Sequence, residues 1–182
     1  MPRSERGFVV WLTGLPASGK TTLARVLGRR LREMGWRVEV LDGDEVRRWL
    51  SPEAGFSRED RERHLRRVAH VSKLLARNGV AVVASFVSPY RSVRREVREI
   101  VEAEGLKFVE VYVRCSLETA MKRDPKGLYR RAVRGELKNM TGVQDAYEEP
   151  ESPEVVVDSE TMTPEQEAEV VLETLRGMGL IA

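Results

Sequence analysis

The stretch Gly14–Thr21 constrains the fold and function of this chain more than any other. It runs Gly-Leu-Pro-Ala-Ser-Gly-Lys-Thr and matches the phosphate-binding loop pattern G-x-x-x-x-G-K-[ST]. The apolar run Phe8–Leu12 before it predicts a buried strand, and the amphipathic run after it predicts a helix. In that context the loop N–H groups and the helix N-terminus face one concavity, so we expect a polyphosphate to bind there.

Two side chains of the loop have predicted roles of their own. Lys20 is expected to reach the β- and γ-phosphates of a nucleoside triphosphate, and the Thr21 hydroxyl is expected to ligate Mg²⁺. The alternative is a strand–helix turn with an incidental lysine, but the strand, the spacing and the helix all favour nucleotide binding. The motif assigns to the donor nucleotide Gly14, Leu15, Pro16, Ala17, Ser18, Gly19, Lys20, Thr21 and Thr22.

Length and composition limit the class of protein. With 182 residues, 41% hydrophobic and 33% charged, the chain is expected to form a single domain over residues 1–182. No apolar run approaches the ~20 residues of a membrane span and no signal-peptide pattern is present, so we expect a cytoplasmic enzyme without a membrane partner. Cys115 alone closes no intramolecular disulfide, which agrees with a reducing compartment, and its place after an apolar strand predicts a packing role.

The charge balance argues against a nucleic-acid partner. The net charge of +2 gives no overall field that would attract a polyanion. The positive charge comes from 25 Arg and only 6 Lys, and the chain has two Asn and two Gln. Few amides and many ion-pairing groups would suit a thermophilic protein, a hypothesis that a melting temperature in the mesophilic range would contradict.

Predicted strands and helices alternate along the whole chain. After the first strand, further strands are predicted at Trp36–Leu41, Val80–Phe86, Phe108–Val113 and Val155–Asp158. This alternation predicts an α/β fold: a doubly wound, mainly parallel five-stranded sheet with helices on both faces. Ser88-Pro89 predicts a helix cap followed by a proline at the first helical position. Between residues 122 and 153 the apolar periodicity breaks, which predicts a mobile functional segment.

Carboxylates follow the second predicted strand rather than the third. Asp42 and Asp44 come directly after the second strand, whereas the third ends in Ala84-Ser85 without the acid that P-loop NTPases often place there. We therefore expect Asp42 to help hold Mg²⁺ and Asp44 to orient an acceptor hydroxyl. The alternative is that Asp42-Gly43 forms a turn and that Asp44 caps the next helix.

Further motifs follow one another in order. They are Leu41-Asp42-Gly43-Asp44, Gly55-Phe56-Ser57, Asp60-Arg61, Arg66-Arg67, Ser85-Phe86-Val87-Ser88-Pro89-Tyr90-Arg91, Arg123-Asp124-Pro125-Lys126-Gly127-Leu128-Tyr129, Gly135-Glu136-Leu137 and Thr141-Gly142-Val143. In this ordered set, over about Gly7 to Glu154, the chain resembles the adenylylsulfate kinase family. The resemblance implies a P-loop kinase that transfers a phosphoryl group from Mg·ATP to the ribose 3′-hydroxyl of adenylyl sulfate. It also implies a homodimer.

The resemblance implies roles for individual residues. Phe56 would stack on the acceptor adenine and Arg61 would grip the phosphosulfate. Arg123 would join the ATP-binding residues, and Lys126 would belong to a basic lid that excludes water above both nucleotides. The residues that the resemblance assigns to adenylyl sulfate are Asp44, Arg47, Phe56, Arg61, His64, Val87, Ser88, Lys126, Asn139 and Met140. Asp44, Lys20 and Ser88 would be catalytic.

Some features leave alternatives open. His64 stands where the family usually has Asn, and Met140 stands where it usually has a second stacking Phe. The serine matching Ser88 is often described as a phosphoserine intermediate, but no neighbouring base activates it in the sequence, and we favour direct transfer. Two other functions remain: a sugar or nucleoside kinase on the same scaffold, and a nucleotide-dependent switch that phosphorylates nothing.

Overall fold

A computed structural model of the chain describes residues 6–182, so the first five residues of the predicted domain lie outside the description. The strands are β1 (Phe8–Thr13), β2 (Arg37–Asp42), β3 (Val80–Ser85), β4 (Lys107–Arg114) and β5 (Val155–Asp158). The helices are α1 (Lys20–Glu33), α2 (Gly43–Leu50), α3 (Arg58–Arg77), α4 (Arg91–Glu102), α5 (Leu117–Arg123), α6 (Leu128–Val133) and α7 (Pro164–Gly177). Within the described residues, no helix is long and apolar enough to cross a membrane.

All five strands are parallel and lie in the order β2-β3-β1-β4-β5. The central strand β1 is buried along its whole length, and β3 is buried after its first residue, as expected for strands covered on both faces. Strand β2 lies at one edge and alternates between exposed and partly buried positions over its first four residues. The predicted doubly wound α/β sheet is confirmed.

Two hydrophobic cores lie on opposite faces of the sheet. On one face Val10 and Leu12 pack with the apolar sides of α1 and α7. On the other face Val9 and Trp11 pack with α3 and α4. Successive residues of β1 point to opposite faces, so each of them reaches one helix layer. With both faces covered, the carboxyl ends of the strands are left as the place for a site.

Several helix ends follow from local sequence. The N–H of Gly35, which has a φ of 84°, donates to the Arg32 carbonyl just after α1. Thr163 and Gln166 form the predicted capping box at the start of α7. The Ser57 hydroxyl accepts the N–H of the third residue of α3.

The prediction that Ser88-Pro89 begins a helix is wrong. Ser88 has a φ of 42°, outside the extended region that an N-cap residue adopts, and α4 begins only at Arg91. The Arg91 N–H donates to the Glu148 carboxylate at 2.9 Å. A negatively charged group from a distant segment therefore caps α4, where the helix dipole favours an anion.

The predicted lid, residues 122–153, contains more structure than its broken periodicity indicates. It begins with the end of α5, contains α6 and then runs irregularly towards β5. Its last part is bonded to helix α4: Arg94 donates to the Glu148 carbonyl at 2.5 Å. Close by, Arg98 donates to the Glu154 carboxylate at 2.6 Å. The mobility of this segment stays a prediction.

One carboxyl group is buried in the first turn of α7. Glu167 is 2% exposed, and its Oε1 has no hydrogen-bond partner among the described residues. Burial raises the pKa of Glu167 to about 7; Arg123 opposes this effect and Asp158 adds to it. The unfolded chain loses this proton at lower pH than the folded chain does. The folded state is therefore penalised as pH rises through this interval.

We expect Glu167→Gln to raise the free energy of unfolding at pH 8 by about 1–3 kcal/mol, and to change it much less at pH 4.5. Urea unfolding curves at both pH values measure the difference. Glu169→Gln is the matched control on the same helix: hydrogen bonds from Arg176 and Arg30 lower the pKa of Glu169, so its removal should reduce stability at pH 8. A Glu167→Gln effect independent of pH would contradict the assignment.

Candidate active site

The loop after β1 has the backbone shape that the motif predicts. Gly19 has a φ of 97° and Ala17 a φ of 65°, both in the left-handed region. Gly14 is needed for close packing, because a Cβ on it would lie 2.6 Å from the Val113 carbonyl oxygen. The chain therefore curls tightly at the carboxyl end of β1, between the sheet and the start of α1.

Lys20 folds back into this loop. Its ammonium donates to the carbonyls of Gly14 at 2.9 Å and Leu15 at 2.7 Å, and to the Ser18 hydroxyl at 3.3 Å. Lys20 is 8% exposed, and burial lowers its pKa to about 7, although the Asp42 carboxylate acts in the opposite direction. A ligand with negatively charged oxygens would supply the opposing charge that this buried amine needs.

Asp42 lies next to the loop, as predicted for a metal ligand. The Thr21 hydroxyl donates to its Oδ1 at 3.4 Å, and in the sheet Asp42 is paired with Ser85, the last residue of β3. Asp42 occupies the N-cap position of α2 but forms no side-chain cap hydrogen bond, so a capping role does not account for it. Two adjacent oxygen ligands beside a phosphate loop fit Mg²⁺, which prefers oxygen and retains several waters.

Asp44, in the first turn of α2, meets the predicted lid. The Lys126 ammonium donates to its Oδ2. The side chains of Lys126 and Asp44 are 59% and 65% exposed, so this pair adds little to stability. Its importance is its position: the predicted acceptor acid and the predicted lid cation meet beyond the end of β2.

Arg47 and Phe56 form a second contact near the same strand end. The Arg47 guanidinium lies 4.6 Å from the centroid of the Phe56 ring and also donates to the carbonyls of Ala54 and Gly55. Phe56 is 60% exposed, so its ring is not part of the hydrophobic core. An exposed ring backed by a guanidinium is a suitable stacking surface for a flat base.

Arg61 joins α3 to the lid. It donates to the Thr141 hydroxyl at 2.7 Å and to the Asn139 carbonyl, and its Nη1 lies 3.8 Å from the Asp145 carboxylate. Asn139 has a φ of 58°, which turns the chain sharply at this point. Arg61, the residue predicted to bind the phosphosulfate, thus holds segment 139–141 in this structure.

The two residues that depart from the family pattern are both buried. A hydrogen bond of 2.8 Å joins His64 Nδ1 to the Ser51 hydroxyl. His64 Nε2 has no hydrogen-bond partner among residues 6–182. Burial, followed by Arg47 and Arg67, lowers the pKa of His64 to about 4, so the ring is neutral at physiological pH. Met140 is 8% exposed and packs in a separate cluster between the lid segment and the end of β4, with Cys115, Ala120, Tyr129 and Ala132. Cys115 has the packing role that the sequence predicts.

The segment of Val87 and Ser88 is held from below by β1. The Thr13 hydroxyl donates to the Val87 carbonyl at 2.7 Å. Trp11 Nε1 donates to the Ser88 hydroxyl at 3.0 Å, and that hydroxyl donates to the Phe86 carbonyl at 3.1 Å. The Ser88 hydroxyl therefore already acts both as an acceptor and as a donor of hydrogen bonds within the protein.

Arg123 lies beside the phosphate loop on the lid side. It donates to the Ser159 hydroxyl at 3.0 Å and the Ser159 carbonyl at 2.8 Å. Ser159 in turn borders the loop, since a Cβ on Gly19 would lie 3.9 Å from the Ser159 Cβ. Arg123, the predicted ATP-binding residue of the lid segment, is thus linked to the phosphate loop through Ser159.

A family model for adenylylsulphate kinase matches residues 6–158 of the chain. The chain belongs to the adenylylsulphate kinase family. It is 58% identical over 159 residues to a probable adenylyl-sulfate kinase of Aeropyrum pernix, with 87% of each protein covered. It is 53% identical over 175 residues to the adenylyl-sulfate kinase of Myxococcus xanthus, covering 96% of this chain and 94% of the relative. These findings confirm the resemblance that the ordered motifs indicate.

A solved structure from the same family matches the fold closely. It is the Mycobacterium tuberculosis APS kinase CysC in complex with AMPPNP and APS. The TM-score is 0.92 at 37% identity, and the match covers 95% of this chain and 99% of that chain.

Three supporting residues of this adenylylsulphate kinase site were not predicted. Trp11 and Thr13 hold the segment after β3, and Tyr129 donates to the Pro16 carbonyl at 2.7 Å. A signal existed for Trp11, because an indole N–H in a buried strand must find a partner. The sequence has no corresponding signal for Thr13 or Tyr129, whose partners lie far along the chain.

Proposed function

We propose that this chain transfers the γ-phosphoryl group of ATP to the 3′-hydroxyl of adenylyl sulfate, giving 3′-phosphoadenylyl sulfate and ADP. One observation carries the proposal: Asp44 lies two residues after Asp42, which contacts the phosphate loop, and on the same short helix as Arg47, which backs the exposed Phe56 ring. An acid would thus stand between a donor site and an aromatic acceptor surface, in a member of a family of adenylylsulphate kinases.

The donor half of the site is built on the loop Gly14–Thr21. The loop N–H groups and Lys20 would bind the phosphates of ATP, with Arg123 beside them. Thr21 and Asp42 would hold Mg²⁺, which would help to neutralise the charge of the ATP phosphates. The M. tuberculosis structure was solved with AMPPNP and APS, which supports two nucleotides in one site.

The acceptor half lies beyond β2 and β3. Phe56 would stack on the adenine and Arg61 would bind the phosphosulfate, which requires it to exchange its bonds to Thr141 and Asn139 for bonds to the ligand. Lys126 would turn from Asp44 to the substrate. His64 and Met140, both buried, would lie behind the surface of this half, and Val87 and Ser88 would form its floor.

In the reaction, Asp44 accepts the proton of the acceptor hydroxyl and holds the oxygen in line with the γ-phosphorus. Lys20 stabilises the charge that develops on the transferred group. The attacking oxygen bonds to phosphorus as the bond to the β-phosphate oxygen breaks, and ADP leaves. Closure of residues 122–153 would keep water out and so favour transfer over hydrolysis.

The test of this function is coupled turnover with a panel of acceptors. We expect adenylyl sulfate to be phosphorylated with a kcat/KM at least ~100-fold above those of sugars and nucleosides. A sugar or nucleoside that outperforms adenylyl sulfate would favour the alternative kinase. ATP binding without phosphorylation of any acceptor would favour a nucleotide-dependent switch.

Asp44→Ala is expected to lower kcat by ~100- to 10,000-fold and to leave the ATP dissociation constant within about threefold of wild type. The physical reason is that Asp44 contacts the acceptor hydroxyl and no donor group. Glu45→Ala, which removes the neighbouring exposed acid in the same turn of α2, is the matched control and should keep normal turnover. Equal losses in turnover and ATP affinity would contradict this role.

Ser88→Ala is expected to retain kcat within about threefold of wild type, because the Ser88 hydroxyl is bonded to Trp11 and Phe86 and has no base to activate it. Turnover is measured at a temperature where thermal unfolding shows the variant to be folded. Incubation of the wild type with γ-labelled ATP should give no labelled protein. Stoichiometric labelling that Ser88→Ala abolishes, together with its turnover, would establish the covalent route.

Two further expectations concern the state of the protein. We propose a homodimer, which the family resemblance implies, and a cytoplasmic location, which agrees with the single Cys115. Sedimentation equilibrium at micromolar concentration tests the first, and a monomer would contradict it. Cell fractionation tests the second.

A further inference from the structure

The phosphate loop contains a β-turn with an unusual residue in it. The Ser18 N–H donates to the Leu15 carbonyl at 3.1 Å, so residues 15–18 form the turn, with Pro16 and Ala17 at its centre. Ala17 has a φ of 65°, and proline cannot adopt a positive φ, so the turn is of type II. Glycine usually occupies this third position, because a positive φ is unfavourable for a residue with a Cβ.

A type II turn differs from a type I turn in the orientation of its central peptide. Here that peptide joins Pro16 and Ala17, and it is trans, as are all the described peptide bonds. The carbonyl and the N–H of a trans peptide point in opposite directions. Whatever holds the Pro16 carbonyl on one side therefore aims the Ala17 N–H to the other side.

The group that holds the Pro16 carbonyl is the hydroxyl of Tyr129. It donates across 113 positions of sequence, at 2.7 Å. Burial raises the pKa of Tyr129, so the phenol stays protonated and remains a donor at physiological pH. Within residues 6–182 the Ala17 N–H donates to no protein acceptor, which leaves it available to a phosphate oxygen.

Tyr129 is itself firmly placed. It is 1% exposed, and its N–H donates to the Asp124 carboxylate at 3.0 Å, which also accepts the N–H of Arg130. Its ring packs against Gly142, where a Cβ would lie 3.6 Å from Tyr129 Cε1. The Tyr129 hydroxyl therefore has little freedom to follow the Pro16–Ala17 peptide if that peptide flips.

We infer that Tyr129 is a positioning residue for the donor phosphates: its hydroxyl locks the Pro16–Ala17 peptide so that the Ala17 N–H faces the phosphates of ATP. This inference rests on the proposed binding of ATP to the loop. It also couples the lid to the donor site, since the same bond joins α6 to the loop. By linkage, ATP binding and the packing of α6 strengthen each other.

The test is Tyr129→Phe, which removes the hydroxyl and keeps the ring. Calorimetry with a nonhydrolysable ATP analogue should give a dissociation constant about three- to tenfold higher than that of wild type, the scale of one hydrogen bond. The KM for adenylyl sulfate should change by less than about twofold, because no acceptor residue forms a hydrogen bond with the Tyr129 hydroxyl or the Pro16 carbonyl within residues 6–182. Tyr112→Phe is the matched control, since it removes a tyrosine hydroxyl whose neighbour is Glu149 rather than a carbonyl of the phosphate loop.

A second variant keeps the inference falsifiable if Tyr129→Phe is also less stable. Glycine adopts a φ of 65° without strain. The double variant Tyr129→Phe, Ala17→Gly should therefore lose less affinity for the ATP analogue than Tyr129→Phe alone. Unchanged analogue affinity in Tyr129→Phe, or equal losses for both substrates with no effect of Ala17→Gly, would overturn the inference. If the analogue binds normally to wild type and weakly to Tyr129→Phe while adenylyl sulfate is not phosphorylated, the inference stands and only the proposed acceptor is wrong.

Discussion

A buried amine against loop carbonyls is the interaction on which the site depends. Lys20 occupies the concavity of the phosphate loop, with its ammonium on the carbonyls of Gly14 and Leu15. The parallel sheet makes this possible, because it ends its strands at one edge and leaves the loop backbone free of ladder hydrogen bonds. The carboxylates after β2 then lie close enough to act on whatever the loop binds.

The other charged groups of the site also have protein partners in this structure. Lys126 contacts Asp44, Arg61 bonds to segment 139–141, and Arg123 bonds to Ser159. A nucleotide that binds as proposed would replace these bonds with its own and would not meet unpaired charges. Its affinity therefore depends on the difference between two sets of charge-assisted bonds, which is smaller than either set alone.

Much of the fold and part of the site follow from local sequence. The strands, the phosphate loop and the Thr163 capping box are encoded in short stretches, so pattern and spacing predict them. Ser88 was assigned wrongly as a helix cap because its partner Trp11 lies 77 positions away. Tyr129 was missed for the same reason, and the burial of Met140 depends on a cluster drawn from β4, α5 and α6.

The remote cap of α4 has a consequence for how the chain folds. Its first N–H is bonded to Glu148, a residue 57 positions away, and Arg94 in its first turn bonds to the backbone of the same residue. The start of this helix can be completed only after a long loop has closed, at an entropic cost that local helix formation avoids. The segment around Ser88 that precedes this helix is therefore expected to reach its final form late in folding, when the chain returns from β4 towards β5.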